Sequence, residues 1–254
     1  MVNVDTVYQR VLALANKEQR GYITPQEFNL FANMAQLDIF EQYFYDLDQW
    51  RRRPGSDTVF GDMIQQLEKK IDIFLDVAGP TAINTIWGTA VFNPSVILIP
   101  SYVHNIERVE YAPDAVTQAH IYCDRLNNND FNEVAATLKK LPLCSPTPNS
   151  PVYNVRKGQL QINDGGLVDP AVKNVAVFYI RKPADVVWGH VVIRQGGGKA
   201  LYNAATTTHF ELHMAEETEL VYKILKLAGS AIKRDDLMRG AVAEEAKLIS
   251  QQKQ

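Results

Sequence analysis

The sequence GYITPQEFNLFANMAQLDIFEQYFYDL spans residues 21–47 and carries the signals of a long, capped helix. Thr24 is placed to be the N-cap, Pro25 the first helical residue, and Glu27 the returning member of a capping box. The apolar residues after this start do not form a single stripe. One set, Phe28, Phe31, Ala32, Ala35 and Ile39, follows one face, and a second set, Leu30, Leu37, Phe40, Phe44 and Leu47, drifts to another. A helix that is apolar on two faces needs partners on both sides, which predicts a subunit of a larger assembly rather than a lone enzyme.

The composition of the 254-residue chain is that of a globular protein with one large or two smaller domains. The net charge of −3 gives no overall basic field that would recruit nucleic acid. No run of 18 apolar residues occurs, and the N-terminus lacks the regions of a signal peptide, so neither a membrane span nor export is expected. Cys123 and Cys144 have no metal-type spacing and are expected to be reduced thiols in a cytosolic product.

Helical patterns flank the long helix and return at the end of the chain. Apolar residues recur at helical spacing over 4–17, and a third helix is expected over about 60–76, ended by Gly79 and Pro80. Towards the C-terminus, 214–227 predicts an apolar helix that Gly229 closes. The last segment, 234–254, is helix-prone but polar, which is typical of a helix that is either frayed or docked on another chain.

The middle of the chain has the composition of β-structure. Residues 105–111 alternate between polar and apolar, and 151–155 and 159–162 flank a turn at 156–158 in the manner of a hairpin. Residues 174–180 are apolar on both faces, which predicts a central strand. One helix, beginning near Asn129 and continuing to Lys140, is expected to interrupt the strands.

These elements together predict an α+β fold. The N-terminal helices of 1–80 and the C-terminal helices of 206–254 form one helical bundle, and a β-rich domain with one short helix, 81–205, is inserted between them. The last segment, 234–254, is expected to be a docking tail.

Two features are candidates for a binding role. Arg51, Arg52 and Arg53 form the densest positive cluster, which could contact phosphate or an acidic partner, or could be a solvated turn that complements the dipole of the preceding helix. Trp188 follows a strand that leaves its sheet through Pro183, and it could anchor an interface or pack within the β domain.

The motifs of enzymes and metal sites are absent from the sequence. The run Gly196–Lys199 lacks the spacing of a phosphate-binding loop and is expected to be a hairpin tip. His209 and His213 share helical spacing without a metalloprotease pattern, so capping or exposure is favoured over metal binding. Glu216, Glu217 and Glu219 suit the positive end of a helix dipole. No catalytic residue, cofactor or metal is therefore predicted.

Three segments resemble the virion structural proteins of marine and other environmental tailed phages. The segments are Leu12–Ala32, which reads LALANKEQRGYITPQEFNLFA, then Phe178–Pro183, and then Phe210–His213 together with Glu216–Val221. Helices around a β insertion, with a polar terminal helix, are similar to the head-to-tail connector proteins of the adaptor or neck-ring type. In that class, as the resemblance implies, twelve copies pack side by side through their helices in the virion neck, and the ring extends the DNA channel. The class has no catalytic residues.

The resemblance implies a role for each candidate residue. Phe28, Phe31, Phe40 and Phe44 would form the oligomer interface. Arg234, Leu237, Met238, Leu248 and Ile249 would dock on the portal protein. Arg51, Arg52 and Arg53 would line the channel, with non-specific contact to packaged DNA, or meet an acidic partner.

Further partners would be a tail or second neck protein, with no membrane, and the ring would assemble in the host cytoplasm. The alternatives are another neck, tail or minor capsid component of the virion, or a phage-encoded enzyme or DNA-binding module.

Overall fold

The structure is a computed structural model with a mixed α+β fold. It describes residues 1–15, 23–52, 58–79, 87, 89–90, 93–112, 121–137, 146–147, 149–165, 174–192, 200–231 and 235–252. The chain divides into two compact units, the first made of Met1–Ile73 with Pro183–Gln254, and the second of Phe74–Lys182.

The first unit contains five described helices and one hairpin. The helices are α1 (Val4–Ala15), α2 (Pro25–Arg52), α3 (Thr58–Ile71), α5 (Glu217–Ala231) and α6 (Asp235–Gln252), and the hairpin consists of β10 (His190–Val192) and β11 (Ala200–Tyr202). The predicted capping box is confirmed, because the Thr24 amide donates to Glu27 Oε2 at 2.9 Å and the Glu27 amide donates to Thr24 Oγ1 at 3.3 Å. These bonds satisfy two of the amides that every helix start leaves without an intrahelical partner.

Among its described residues, the second unit contains two sheets and one short helix. The first sheet has the order β1–β9–β4–β5, from β1 (Leu75–Ala78), β9 (Asn174–Arg181), β4 (Val103–Ala112) and β5 (Ile121–Tyr122). The second sheet has the order β2–β3–β8–β7–β6, from β2 (Thr89–Ala90), β3 (Asn93–Leu98), β8 (Gln159–Asn163), β7 (Val152–Arg156) and β6 (Asp124–Arg125). The helix is α4 (Asn128–Thr137).

Residues of both sheets share one hydrophobic core in the second unit. Val109, Val177 and Tyr179 from the first sheet lie in the same buried cluster as Leu160 and Ile162 from the second. The two sheets therefore pack face to face, as in a sandwich. The predicted central strand is confirmed, since β9 pairs with β1 on one side and β4 on the other.

The predicted hairpin is also confirmed. β7 pairs antiparallel with β8, and the turn residues Lys157 and Gly158 have φ of 51° and 71°. Two consecutive positive φ values define a type I′ turn, whose twist matches that of the two strands. Glycine at the second position adopts this conformation at no steric cost.

Three sequence-based predictions are corrected here. The third helix ends at Ile71, and Leu75 and Asp76 belong to β1, where they pair with β9. Gly229 does not end its helix, since α5 continues to Ala231 with Gly229 buried inside it. The described residues from Pro183 to Ala205, predicted to belong to the β insertion, lie in the first unit with the helices.

Side chains of α2 bind the segment that follows Pro183, which explains why this segment lies in the first unit. Asn33 accepts from the Val186 amide at 2.6 Å and donates to the Val186 carbonyl at 3.0 Å. Asn29 accepts from the Trp188 amide at 2.8 Å, and Gln36 donates to the Ala184 carbonyl at 2.8 Å. We call this set of contacts the amide ladder: side-chain amides at helical spacing bind the extended segment 184–188 as a neighbouring strand would.

Candidate functional site

The long helix α2 is apolar on two opposite faces. Its buried face, which carries Phe28, Ala32, Ala35 and Ile39, packs in the interior of the chain. On the other side, Leu30, Met34 and Leu37 recur at helical spacing and are 60%, 51% and 43% exposed. We call these three residues the α2 stripe. Single exposed apolar residues are common on protein surfaces, but a continuous stripe indicates a site of interaction.

The structure separates the four phenylalanines that were predicted to form the oligomer interface. Phe28 and Phe40 are fully buried in the chain itself, which corrects their assignment to a contact between subunits. Phe28 packs edge-to-face on Tyr8 of α1, at a ring distance of 4.8 Å. Phe31 and Phe44 are half-buried, and for these two the interface remains a prediction.

The α2 stripe continues into a groove of about 420 Å³ between α2, α5 and α6. Met34, Leu37 and Leu227 supply its apolar lining, while Asp38, Lys223 and Glu245 supply charged groups. We call this cavity the α2 groove. A concave site with an apolar lining and a few polar groups is the usual form of a binding site for a side chain or a small ligand.

A network of ion pairs centred on the buried Lys223 joins the helices that line the α2 groove. Lys223, of which 7% of the side chain is exposed, forms ion pairs with Asp38 of α2, with Glu219 of α5 at 3.8 Å and with Glu245 of α6 at 3.6 Å. Lys226 binds Glu245 as well, at 2.9 Å. Because a buried charge without a partner is strongly destabilising, these pairs hold the three helices in one arrangement.

A second buried ion pair joins α3 to the start of α5. Lys70 lies 2.5 Å from Glu216, a carboxylate that is almost fully buried. Burial, together with the nearby charges of Glu216 and Glu219, raises the pKa of the Tyr43 hydroxyl well above its ordinary value. Tyr43 therefore stays neutral at physiological pH. The carboxylates at this helix start act in the packing of the first unit.

The hairpin β10–β11 carries a second uncovered apolar surface. Val191 and Leu201 are direct neighbours across the two strands, and each is 51% exposed. Val192 and Tyr202 on the same strands are exposed as well. At the base of the hairpin, the ring of Trp188 stacks on His190 with centroids 5.7 Å apart.

Trp188 itself is buried in the first unit. It packs against Tyr8 at a ring distance of 4.2 Å, and its Nε1 donates to Asp5 Oδ1 at 2.9 Å. Both partners belong to α1, so Trp188 lies neither on an exposed interface nor within the β-sheet unit, the two roles that the sequence had suggested.

The arginine cluster lies at the C-terminal end of α2. Arg51 and Arg52 are exposed, and they pair with Glu68 at 3.4 Å and with Asp48 at 2.8 Å. Arg53 lies outside the described residues. The two described arginines are therefore available at the surface, at the helix end where a positive charge is favourable.

The two histidines at helical spacing both accept hydrogen bonds from backbone amides. His209 Nδ1 accepts from the Val4 amide, at the first residue of α1, at 3.4 Å. His213 Nδ1 accepts from the Ala215 amide at 3.2 Å and caps the short 3-10 turn that precedes α5. Within the described ranges, no group of three or more His, Cys, Asp or Glu side chains is arranged to hold a metal ion.

The remaining predicted residues are less fully described. Leu237, Met238, Leu248 and Ile249 lie in α6, but their side chains are outside the described part of the structure, as is the whole of Arg234. The run Gly196–Lys199 and Cys144 are outside it too. Cys123 is buried, and burial, with the charges of Asp124 and Asp164, raises the pKa of its thiol to about 12.

Sequence reasoning missed Met34, the hairpin pair Val191 and Leu201, and the network around Lys223. A signal for the first was present, because Leu30, Met34 and Leu37 are spaced as one helical stripe. The Glu219–Lys223 pair also has the i, i+4 spacing of a helical ion pair. The contact to Glu245 depends on how α5 and α6 pack, which the sequence pattern does not encode.

No protein-family model matches the chain, and no curated protein is significantly similar to it. None of the helices in the described part of the chain combines the length and the apolar character that a membrane crossing requires.

Proposed function

We propose that this chain is a structural protein of a tailed-phage virion, a head-to-tail adaptor that forms a ring between portal and tail. The observation that carries the proposal is the α2 stripe. Leu30, Met34 and Leu37 are exposed on the side of α2 opposite its buried face. A neighbouring subunit would cover this stripe and thereby satisfy a helix that is apolar on both sides.

The ring function assigns roles to two further regions. The polar helix α6 would dock on the portal protein, and a tail or second neck protein would bind the opposite end of the ring. The exposed Arg51 and Arg52 would line the DNA channel, where their charge would favour non-specific contact with packaged phosphate. Neither role requires a catalytic residue.

Light scattering after gel filtration, with negative-stain microscopy, tests the assembly of the purified full-length chain. We expect a closed ring, and Leu37→Glu should weaken self-association at least tenfold. Full burial of a leucine contributes about 1.5–3 kcal/mol, and a tenfold change corresponds to about 1.4 kcal/mol. Gln49→Glu, which adds the same charge at another exposed position of α2, is the matched control and should assemble normally.

Cryo-microscopy of virions of the phage that encodes this chain tests the location. Density for it between portal and tail supports the adaptor role. Density elsewhere in the particle would assign it to another neck, tail or capsid component, and its absence from the particle would refute the virion proposal altogether.

A further inference from the structure

A second cavity, of about 380 Å³, lies in the second unit where strand β6 ends and helix α4 begins. Its described lining comes from 125–128 and 154–155, so the cavity belongs to one compact unit and shares no described residue with the α2 groove. We call it the α4 cavity. Its polar lining consists of Arg125, Asn127, Asn128 and Asn154.

Asn154 is the buried polar residue of the α4 cavity. Only 4% of it is exposed, yet none of the hydrogen bonds found among the described residues involves its side-chain amide. On the same strand, Tyr153 belongs to the hydrophobic core and Val155 packs against it, so the alternation of a strand turns Asn154 to the opposite face, and α4 packs on this strand. Buried polar groups in proteins are almost always hydrogen-bonded, so an unpaired amide in a cavity indicates a partner that enters the cavity.

The start of α4 adds backbone donors at the same place. Asn127 is the N-cap of this helix, since its Oδ1 accepts from the Asp130 amide at 2.9 Å and its carbonyl accepts from the Phe131 amide at 3.0 Å. The first two helical amides, those of Asn128 and Asn129, have no such partner in the part of the chain that the structure describes. Free amides at the positive end of a helix bind anions such as phosphate.

Arg125 brings a full positive charge to the α4 cavity. It is exposed and forms no ion pair with a described carboxylate, whereas Arg108 of the other sheet pairs with Glu110 at 3.0 Å. Asp124 and Asp130 are close in sequence, but neither lines the cavity. Among the described lining residues, the charge is therefore positive only. A guanidinium has a planar set of N–H donors that fits two oxygens of a phosphate.

We propose that the α4 cavity binds the phosphate group of a small phosphate monoester. Arg125 pairs with two phosphate oxygens, the amides of Asn128 and Asn129 donate to the third, and the Asn154 side chain donates at the buried end. A volume of about 380 Å³ falls in the range of small-ligand sites and leaves room for an organic part beside the phosphate. A terminal phosphate can reach the buried Asn154, whereas the phosphodiester of a nucleic acid carries a sugar on each side. The site does not depend on the proposed ring.

Equilibrium dialysis of the full-length chain against radiolabelled inorganic phosphate tests the site, in about 150 mM NaCl to screen non-specific attraction. We expect saturable binding with a Kd of about 1 mM or lower. Arg125→Gln should raise this Kd at least about tenfold, because it removes the charged hydrogen bonds to phosphate. Arg156→Gln removes an exposed arginine of β7 that does not line the cavity, so it is the matched control and should leave the Kd unchanged.

Asn154→Leu separates a role in binding from a role in packing. It replaces an unpaired buried amide with an apolar side chain of the same number of heavy atoms, so the Tm should be unchanged or higher while the Kd for phosphate rises about tenfold. In competition, sn-glycerol 3-phosphate should displace the labelled phosphate from the wild-type chain, and acetate at the same concentration should not.

Four results would overturn the proposal. The first is an absence of saturable phosphate binding. The second is a Kd that stays within about twofold of the wild-type value in Arg125→Gln or in Asn154→Leu. The third is displacement by acetate as effective as that by sn-glycerol 3-phosphate, which would indicate a carboxylate site. The fourth is equally effective displacement by a short duplex DNA, which would assign the cavity to nucleic acid.

Discussion

Asn33→Ala should destabilise the first unit, because it removes both hydrogen bonds that the amide ladder makes to the backbone of Val186. Val186 is fully buried, and Asn33 binds its amide at 2.6 Å and its carbonyl at 3.0 Å. Without Asn33, both backbone groups lose these partners. Each buried polar group without a partner costs about 1–3 kcal/mol, and the higher helix propensity of alanine returns about 0.5 kcal/mol.

The expected loss in the free energy of unfolding is therefore about 3 kcal/mol. For a chain of this size that corresponds to a fall of roughly 6–12 °C in Tm. Scanning calorimetry measures the Tm, and hydrogen exchange with mass spectrometry measures protection of the Val186 amide. Gln26→Ala, at an exposed position of the same helix, is the control and should change the Tm little. A loss below about 1 kcal/mol, with the Val186 amide still protected, would refute the role assigned to the ladder.

Three further substitutions test the packing of the first unit. Lys223→Met should lower the free energy of unfolding in urea by about 1–3 kcal/mol, because it removes the buried ammonium that pairs with Glu219 and Glu245, while the exposed Lys247→Met should be nearly neutral; equal effects would contradict the network. Gly189→Ala should lower the free energy of unfolding, measured by thermal unfolding, by about 1–3 kcal/mol, because the added Cβ would lie 2.7 Å from the Asn203 carbonyl oxygen. The control Gly240→Ala, whose Cβ would meet no atom in α6, should raise that free energy by about 0.5–1 kcal/mol. The pKa of Glu27 is lowered because the Thr24 amide and hydroxyl donate to its carboxylate. Its stabilising effect should therefore be complete above the unfolded-state pKa of about 4.3, and it should be lost as pH falls through the lower folded-state pKa. The difference in unfolding free energy between wild type and Glu27→Gln should therefore shrink between pH 6 and pH 3, and a constant difference would argue against the cap.

Local signals in the sequence were sufficient for the parts of the fold that depend on neighbouring residues. The capping box at Thr24 and the tight turn at Lys157 and Gly158 follow from side chains and φ preferences within a few positions. The central strand β9 could also be predicted, because a strand buried on both sides is apolar on both faces.

The parts that were missed depend on contacts between distant segments. Phe40 belongs to the second apolar set of α2 by its spacing, and only the packing of the first unit buries it. Asn33 and Gln36 resemble ordinary surface residues of a helix, yet their partners are about 150 positions later in the chain. The sequence therefore predicts a second apolar face of α2 and includes Leu30 and Leu37 in it, but only the burial of each side chain shows that Met34 is exposed there and that Phe40 is not.

The amide ladder also constrains the order in which the chain can fold during synthesis. Its side-chain amides lie on α2, but the segment that they bind begins at residue 184, after the whole of Phe74–Lys182 has been synthesised. The sheet unit is continuous in sequence and can fold as soon as it leaves the ribosome. Until the extended segment 184–188 has been synthesised, Asn29, Asn33 and Gln36 lack these partners, so nascent chains are most vulnerable to aggregation in that interval.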